Sequence, residues 1–104
     1  MKKRNIILIG MPGAGKSSVG VILAKALGYE FIDTDLVIQH REKRLLREII
    51  ADEGNEGFLA IENEVNATLE ADESVIAPGG SAIYGKEAME HFKEIGTIVY
   101  LKLS

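Results

Sequence analysis

The sequence predicts an α/β fold in three layers, in which a mostly parallel sheet lies between helices. Short apolar runs rich in β-branched residues alternate with helically spaced segments along the 104 residues. A glycine-rich segment, residues 10–17, joins the first of these runs to the first helix. Strands that alternate with helices are typical of a parallel sheet covered on its faces. The length fits a single domain.

Four strands and four helices are predicted in alternation along the chain. The strands are at residues 5–9, 29–33, 74–77 and 97–103, and the helices at residues 17–27, 34–40, 45–69 and 86–95. The first strand is apolar on both faces, as buried strands of parallel sheets are. Gly28 fits the C′ position that ends the first helix. That helix has five apolar residues on one face, namely Val19, Ile22, Leu23, Ala26 and Leu27. Gly54 and Gly57 are expected to interrupt the third helix.

Composition and charge argue against several kinds of protein. The net charge of −4 disfavours nucleic acid as the main partner, because phosphate contacts need clustered lysine and arginine. The chain has no cysteine, which excludes disulfides and thiolate metal sites. The first apolar run, residues 6–9, is too short for a secretion signal or a membrane span. We therefore expect a cytoplasmic monomer without a nucleic-acid or membrane partner.

The glycine-rich segment GMPGAGKS, residues 10–17, fits the P-loop pattern G-x-x-x-x-G-K-[ST] after a strand and before a helix. Its glycines let successive backbone N–H groups and the helix N-terminus face the phosphates of ATP. Lys16 should reach the β- and γ-phosphates, and the Ser17 hydroxyl should bind Mg²⁺. The alternative is a structural turn with Lys16 on the surface. The predicted nucleotide-binding residues are Gly13, Ala14, Gly15, Lys16, Ser17 and Ser18.

Two further polar segments follow predicted strands. Asp33 and Asp35 lie at the end of the second strand, which we expect to be beside the P-loop. One carboxylate there can hold the water shell of Mg²⁺, and the other can accept a hydrogen bond from an acceptor hydroxyl. Asp33 or Thr34 can also cap the next helix.

After the third strand, the segment PGGS at residues 78–81 lets a ligand approach the backbone closely, although it is equally compatible with a plain turn.

Together these segments resemble the shikimate kinase family. The resemblance spans the chain in order, at GMPGAGKSSVG (10–20), FIDTD (31–35), GNEGFLAIE (54–62), VIAPGGS (75–81) and IVYL (98–101). It implies a sheet of order 2-3-1-4-5 and ATP-dependent phosphorylation of the shikimate 3-hydroxyl in aromatic amino-acid biosynthesis. Because the last predicted strand ends the chain, we expect residues 1–104 to be a single P-loop kinase domain, the N-terminal part of a longer chain that continues with the lid and the last strand.

The resemblance also implies roles for individual residues. Lys16 would bind phosphate and act in catalysis, while Ser17 and Asp33 would hold magnesium, Asp33 through water. Asp35 would bind the acceptor hydroxyls and act as base. Glu62 would orient a substrate-binding arginine of the family. The remaining residues expected along the acceptor are Phe58, Gly79, Gly80 and Ser81.

The sequence departs from the family where that arginine is expected. Leu59 and Ala60 follow the matched phenylalanine, so that Glu62 lacks its implied partner, and Ser81 replaces a glycine. Three readings stay open: a shikimate kinase, a kinase for a different small hydroxylated acceptor, and a non-catalytic nucleotide-binding module. Asp33 and Asp35 argue against the last, because nucleotide binding needs no carboxylate at the acceptor. The histidines, His40 and His91, have no ligand-like spacing and are expected at the surface or its boundary.

Overall fold

The computed structural model of this chain describes residues 4–10, 16–79 and 81–101, and for Lys16 and Ser17 the backbone alone. Its strands are β1 (Asn5–Gly10), β2 (Glu30–Asp33), β3 (Ser74–Ala77) and β4 (Gly96–Leu101). Its helices are α1 (Lys16–Leu27), α2 (Thr34–Glu42), α3 (Leu46–Ala67) and α4 (Lys86–Ile95), with a 3₁₀ turn at Ala82–Tyr84. The predicted elements are all present, with bounds that differ by a few residues.

The four strands form one parallel sheet in the order β2-β3-β1-β4. Ile7 of β1 pairs with Ile76 of β3 on one side and with Ile98 of β4 on the other. This order matches the first four strands of the predicted order 2-3-1-4-5, and the fifth strand stays a prediction. The α/β fold class is confirmed.

Successive residues of β1 point to opposite faces of the sheet and pack against different helices. Ile7 and Ile9 belong to a buried cluster with Phe92 of α4, whereas Leu8 packs with Ala24 of α1. Because side chains alternate along a strand, an apolar run buried on both sides requires a cover on each face. Helices therefore lie on both faces of the sheet, as the predicted three layers require.

Helix α1 packs on the sheet through its small residues. Of the five apolar residues predicted on one face, Val19, Ile22 and Leu27 are 40%, 70% and 46% exposed. The contact runs instead through buried Ala24 and through Gly20, where an added Cβ would lie 2.5 Å from the ring of Phe31. Leu23, also predicted on that face, is partly buried against the same cluster. At Gly20 the helix lies so close to the sheet that no larger side chain fits, which a count of apolar positions does not predict.

Helix α3 is kinked at Gly54, whose backbone is non-helical with φ 76° and ψ 173°. The predicted interruption at Gly54 is confirmed, and the one at Gly57 is wrong, because Gly57 continues the helix. Beyond the kink, Phe58, Ile61 and Val65 pack toward α2. Glu62 lies in the middle of this buried face, so the spacing that buries the apolar residues also buries a carboxylate.

Within the described ranges, no helix is long and apolar enough to cross a membrane.

Candidate active site

The carboxyl ends of β2 and β3 bring the predicted acceptor residues together. Asp33, the last residue of β2, pairs with Ala77, the last residue of β3. Asp35 and Gly79 each follow two residues later, so the two segments leave the sheet side by side. Strand β3 lies between β2 and β1. The ends of β2 and β1 are therefore one strand apart, as in the predicted order 2-3-1-4-5.

The P-loop prediction falls partly outside the described residues. Strand β1 ends at Gly10 and α1 begins at Lys16, which confirms the strand–helix context that the motif requires. Ser18 is exposed in the first turn of α1. Gly13, Ala14 and Gly15 lie outside the described residues, as do the side chains of Lys16 and Ser17, and their roles stay predictions.

Asp33 is the N-cap of α2. Its backbone is extended (φ −97°, ψ 112°), and its Oδ1 accepts a hydrogen bond of 2.9 Å from the backbone N–H of Asp35. This arrangement satisfies one of the free N–H groups at the helix start. The described contacts of the Asp33 side chain use Oδ1 alone, so the capping role is compatible with a second role for Oδ2 toward a hydrated cation.

Two carboxylates face the backbone of Gly79. A Cβ added to Gly79 would lie 2.9 Å from Oδ1 of Asp35 and 2.9 Å from Oε2 of Glu62. The two oxygens are therefore no farther apart than twice that distance. Any side chain at this position would displace them, so the glycine keeps a small polar space open between two acidic groups. Gly80, predicted beside it, lies outside the described residues.

Glu62 is the most deeply buried carboxylate of the site, with 2% of its surface exposed. The hydroxyl of Ser81 donates a hydrogen bond of 2.7 Å to its Oε1. Burial raises the pKa of Glu62 above its ordinary value and the charge of Asp35 raises it further, while the Ser81 hydrogen bond opposes both. The sequence lacks the arginine that the resemblance implies as the partner of this carboxylate, and in the structure Ser81 supplies a hydrogen-bond donor to it.

Phe58, the remaining predicted acceptor residue, and its neighbour Leu59 have different surroundings. Phe58 is partly buried and packs with Ile38, Ile49 and Val65, so its predicted contact with the acceptor stays a prediction. Leu59 is 38% exposed. It borders a cleft of about 270 Å³ that also includes Glu62, Ser81, Lys86 and Glu87.

Sequence reasoning missed Asn63, which forms one wall of this cleft. Its Nδ2 donates to Oε2 of Glu87 at 3.0 Å, and its Oδ1 accepts from the backbone N–H of Ala88 at 3.0 Å. Asn63 thus caps α4 from a neighbouring helix. The capping contact joins residues 25 apart, and no local pattern indicates it.

The histidines contribute no metal site to the described part of the chain. His40 is exposed, and the Nε2 of His91 lies 2.6 Å from the carbonyl oxygen of Leu69. In the same residues, no group of three histidine, aspartate or glutamate side chains is placed to hold a metal ion.

We expect Glu62→Gln to remove part of the pH dependence of stability. A carboxyl whose folded pKa is raised contributes stability below its unfolded pKa of about 4.5, and that contribution is lost as the pH rises through the folded pKa. Glutamine keeps the shape and does not ionise. The gain in unfolding free energy of the variant over the parent should therefore grow from about pH 4.5 upward. Urea unfolding at a series of pH values measures it.

Glu64→Gln is the matched control, because Glu64 is an exposed carboxylate on the same helix and bonds to Arg41. In this variant the unfolding free energy should change with pH as it does in the parent, since Glu62 is intact. An unchanged pH dependence in Glu62→Gln would contradict the raised pKa.

Three features define this chain as a member of the class of P-loop α/β proteins. They are the sheet order, the interior strand that ends in a glycine-rich segment, and the helix that starts directly after that segment. A model of the family described as shikimate kinase matches residues 12–104. The chain belongs to the shikimate kinase family.

Individual relatives agree with this assignment. The chain is 39% identical over 101 residues to shikimate kinase 2 of Yersinia enterocolitica serotype O:8, covering 97% of this chain and 58% of that protein. A shikimate kinase from Acinetobacter baumannii, solved in complex with shikimate, superimposes with a TM-score of 0.91 at 38% identity, over 98% of this chain and 57% of that one. One from Bacteroides thetaiotaomicron gives 0.83 at 33% identity, over 94% and 56%. The chain thus spans somewhat more than half the length of these relatives.

Proposed function

We propose that this protein is an ATP-dependent kinase that transfers the γ-phosphate to a hydroxyl of a small molecule, namely the 3-hydroxyl of shikimate, in aromatic amino-acid biosynthesis. The observation that carries the proposal is the position of Asp35, whose carboxylate faces Gly79 at the ends of β2 and β3 in a chain of this family. Shikimate bound to the Acinetobacter baumannii relative supports this acceptor.

Each part of the proposed reaction has a residue. Backbone N–H groups of Gly13, Ala14 and Gly15, together with Ser18 at the start of α1, bind the phosphates of ATP, and Lys16 contacts the β- and γ-phosphates. The acceptor oxygen forms a bond to the γ-phosphorus while the bond from that phosphorus to the β,γ-bridging oxygen breaks, and ADP leaves. Asp35 takes the hydroxyl proton, acting as general base.

The protein groups proposed for magnesium are the hydroxyl of Ser17 and, through water, the carboxylate of Asp33. Oxygen donors of this kind suit Mg²⁺, which keeps several of its waters in proteins. The N-cap bond of Asp33 supports this role, because it fixes the carboxylate at the end of β2 through Oδ1. When bound, the ion neutralises part of the triphosphate charge.

The acceptor is proposed to lie along Gly79, Gly80 and Ser81, with Phe58 at its apolar side.

A kinase for a different small hydroxylated molecule is the second candidate, and Leu59 favours it. This side chain brings no charge to the cleft it borders, whereas the carboxylate of shikimate calls for a cation. The acidic groups around Gly79 give no support to a non-catalytic nucleotide-binding module.

The net charge of the chain bears on its partners. We infer that the protein acts as a cytoplasmic monomer on small molecules, without nucleic-acid or membrane partners. The net charge of −4 supports the absence of a nucleic-acid partner, since it repels nucleic-acid phosphates.

Leu59→Arg is expected to separate the two acceptor candidates. If shikimate is the acceptor, an arginine in the cleft beside Glu62 should raise kcat/KM for shikimate by about 10- to 100-fold, because a charged hydrogen bond contributes about 1.5–3 kcal/mol. If the acceptor carries no carboxylate, the unpaired charge should lower the native activity. Steady-state assays of the natural full-length protein with shikimate, polyols and nucleosides measure both.

Ile50→Arg is the matched control for this substitution. Ile50 lies on the same helix and is 39% exposed, against 38% for Leu59, but does not border the cleft. We expect its kinetics to equal those of the parent. Turnover of an uncharged acceptor, with none of shikimate in either parent or Leu59→Arg, would refute shikimate as the acceptor.

A further inference from the structure

Glu62 is a buried carboxylate that no cation neutralises within the described residues. Its exposed fraction is 2%, and none of the ion pairs found in that part of the chain includes it. The charged groups that face it are Asp35 across Gly79 and, around the cleft, Lys86 and Glu87. A buried carboxyl without a cation is costly unless hydrogen-bond donors satisfy its oxygens.

Among the residues that the structure describes, Ser81 supplies a donor to one of these two oxygens. Its hydroxyl lies 2.7 Å from Oε1 and holds the carboxyl in one orientation. That orientation directs Oε2 at the space above Gly79, next to Oδ1 of Asp35. Two acidic oxygens, from α2 and α3, therefore border one space, which Gly79 itself leaves open because it has no side chain.

The chemistry of this space restricts what it can bind. Carboxyl oxygens accept hydrogen bonds, so hydroxyl groups of a ligand are favourable partners there. A ligand carboxylate or phosphate at the same point would be repelled by Asp35 and would find no donor on Oε2 when Glu62 is ionised. The open backbone at Gly79 lets a flat or ring-shaped ligand come close to both oxygens.

We propose that Ser81 is a positioning residue that holds Glu62 as a second acceptor-binding group, so that Asp35 and Glu62 together bind two neighbouring hydroxyls of the acceptor. This inference rests on the proposed kinase function and narrows its substrate class. The acceptor is a small molecule with at least two adjacent hydroxyls, and any negative charge it carries lies outside the space above Gly79. Leu59, which borders the same cleft as Glu62, brings no charge to it.

The first test compares acceptor kinetics in the natural full-length protein. Ser81→Ala should raise KM for shikimate about tenfold and leave kcat nearly unchanged, because the contact is made in ground and transition states alike. Ser81→Thr, which keeps the hydroxyl, should restore KM to within about threefold of the parent. Ser74→Ala is the control, since the Ser74 hydroxyl bonds to a backbone carbonyl at the opposite end of β3. An unchanged KM in Ser81→Ala overturns the proposal.

The second test asks which part of the acceptor Glu62 contacts. Methyl shikimate keeps the three hydroxyls and lacks the negative charge. If Glu62 binds hydroxyls, Ser81→Ala should raise KM by the same factor for shikimate and its methyl ester. An effect confined to shikimate would mean that Ser81 acts through the ligand carboxylate, which overturns the proposal.

A third measurement needs no turnover. The δ-carbon of Glu62, followed by carbon-13 NMR, should titrate at a higher pH in Ser81→Ala than in the parent. The Ser81 hydrogen bond stabilises the charged form and lowers the pKa of Glu62, and this effect is lost in the variant. Asp35, Lys86 and Glu87 face the same carboxyl in both proteins. An unmoved midpoint refutes the positioning role whatever the acceptor.

These outcomes separate the two proposals. If the parent fails to phosphorylate shikimate but phosphorylates another polyol, the choice of shikimate fails, and the Ser81 variants are judged on that polyol. If no hydroxylated acceptor is phosphorylated, both the kinase function and the binding role of Glu62 are overturned.

Discussion

Lys16→Ala is expected to lower kcat/KM by about 10²- to 10³-fold and to weaken binding of MgATP, the larger of the two strongest effects we predict. Lys16 begins α1 directly after the glycine-rich segment that follows β1. We propose that the ammonium group in this position contacts the β- and γ-phosphates and the charge that develops during transfer. Alanine removes the charge and preserves the helix, because it is the best helix former. Titration calorimetry with MgATP and steady-state kinetics measure the two effects.

Lys25→Ala is the control for this substitution. Lys25 is an exposed lysine in the last turn of the same helix, at the end far from the glycine-rich segment. Its loss should leave MgATP affinity and turnover at the level of the parent. Equal MgATP affinity in Lys16→Ala and the parent would contradict the phosphate-binding role of Lys16.

Asp35→Asn is expected to reduce kcat by about 10²-fold or more while the affinity for ATP changes little. Asparagine has nearly the same size and cannot take the hydroxyl proton. The N-cap of α2 should survive, because the bond to Oδ1 of Asp33 comes from the backbone N–H of residue 35 and not from its side chain. Steady-state kinetics at saturating ATP and acceptor, with calorimetry for ATP, measure the separation.

Asp52→Asn serves as the control for Asp35→Asn. Asp52 is an exposed aspartate of α3 whose described contact is with Arg44, and its loss should leave both parameters unchanged. Surface ion pairs of this kind contribute little to stability. A fall in ATP affinity with turnover preserved at saturation would show that the roles given to Asp33 and Asp35 are exchanged.

The two departures from the family, Leu59 and Ser81, meet in the same cleft. The resemblance implies an arginine at the first position as the partner of Glu62. In this chain Glu62 accepts a hydrogen bond from Ser81 instead. The substitution of a glycine by serine thus gives a donor to the carboxyl that has lost its implied cation, which lowers the cost of burying it.

The sequence predicted the α/β class, the four strands and the strand–helix context of the P-loop, because these features follow from residue spacing and glycine placement over short distances. The N-cap at Asp33 is also local, since its bond spans two residues. The roles of Lys16, Ser17 and Phe58 remain predictions.

The tertiary structure decided contacts that no local pattern contains. Ser81 bonds to Glu62 across 19 residues, and Asp35 meets Glu62 at Gly79, which follows the end of a third element. Helix α1 shows the same limit. The residue spacing predicted which of its residues share a face. Which face is buried depends on how closely the backbones of the helix and the sheet approach each other. The small residues Gly20 and Ala24 allow the closest approach. The sequence therefore determined the elements and the nucleotide motif, whereas packing determined the acceptor side of the site.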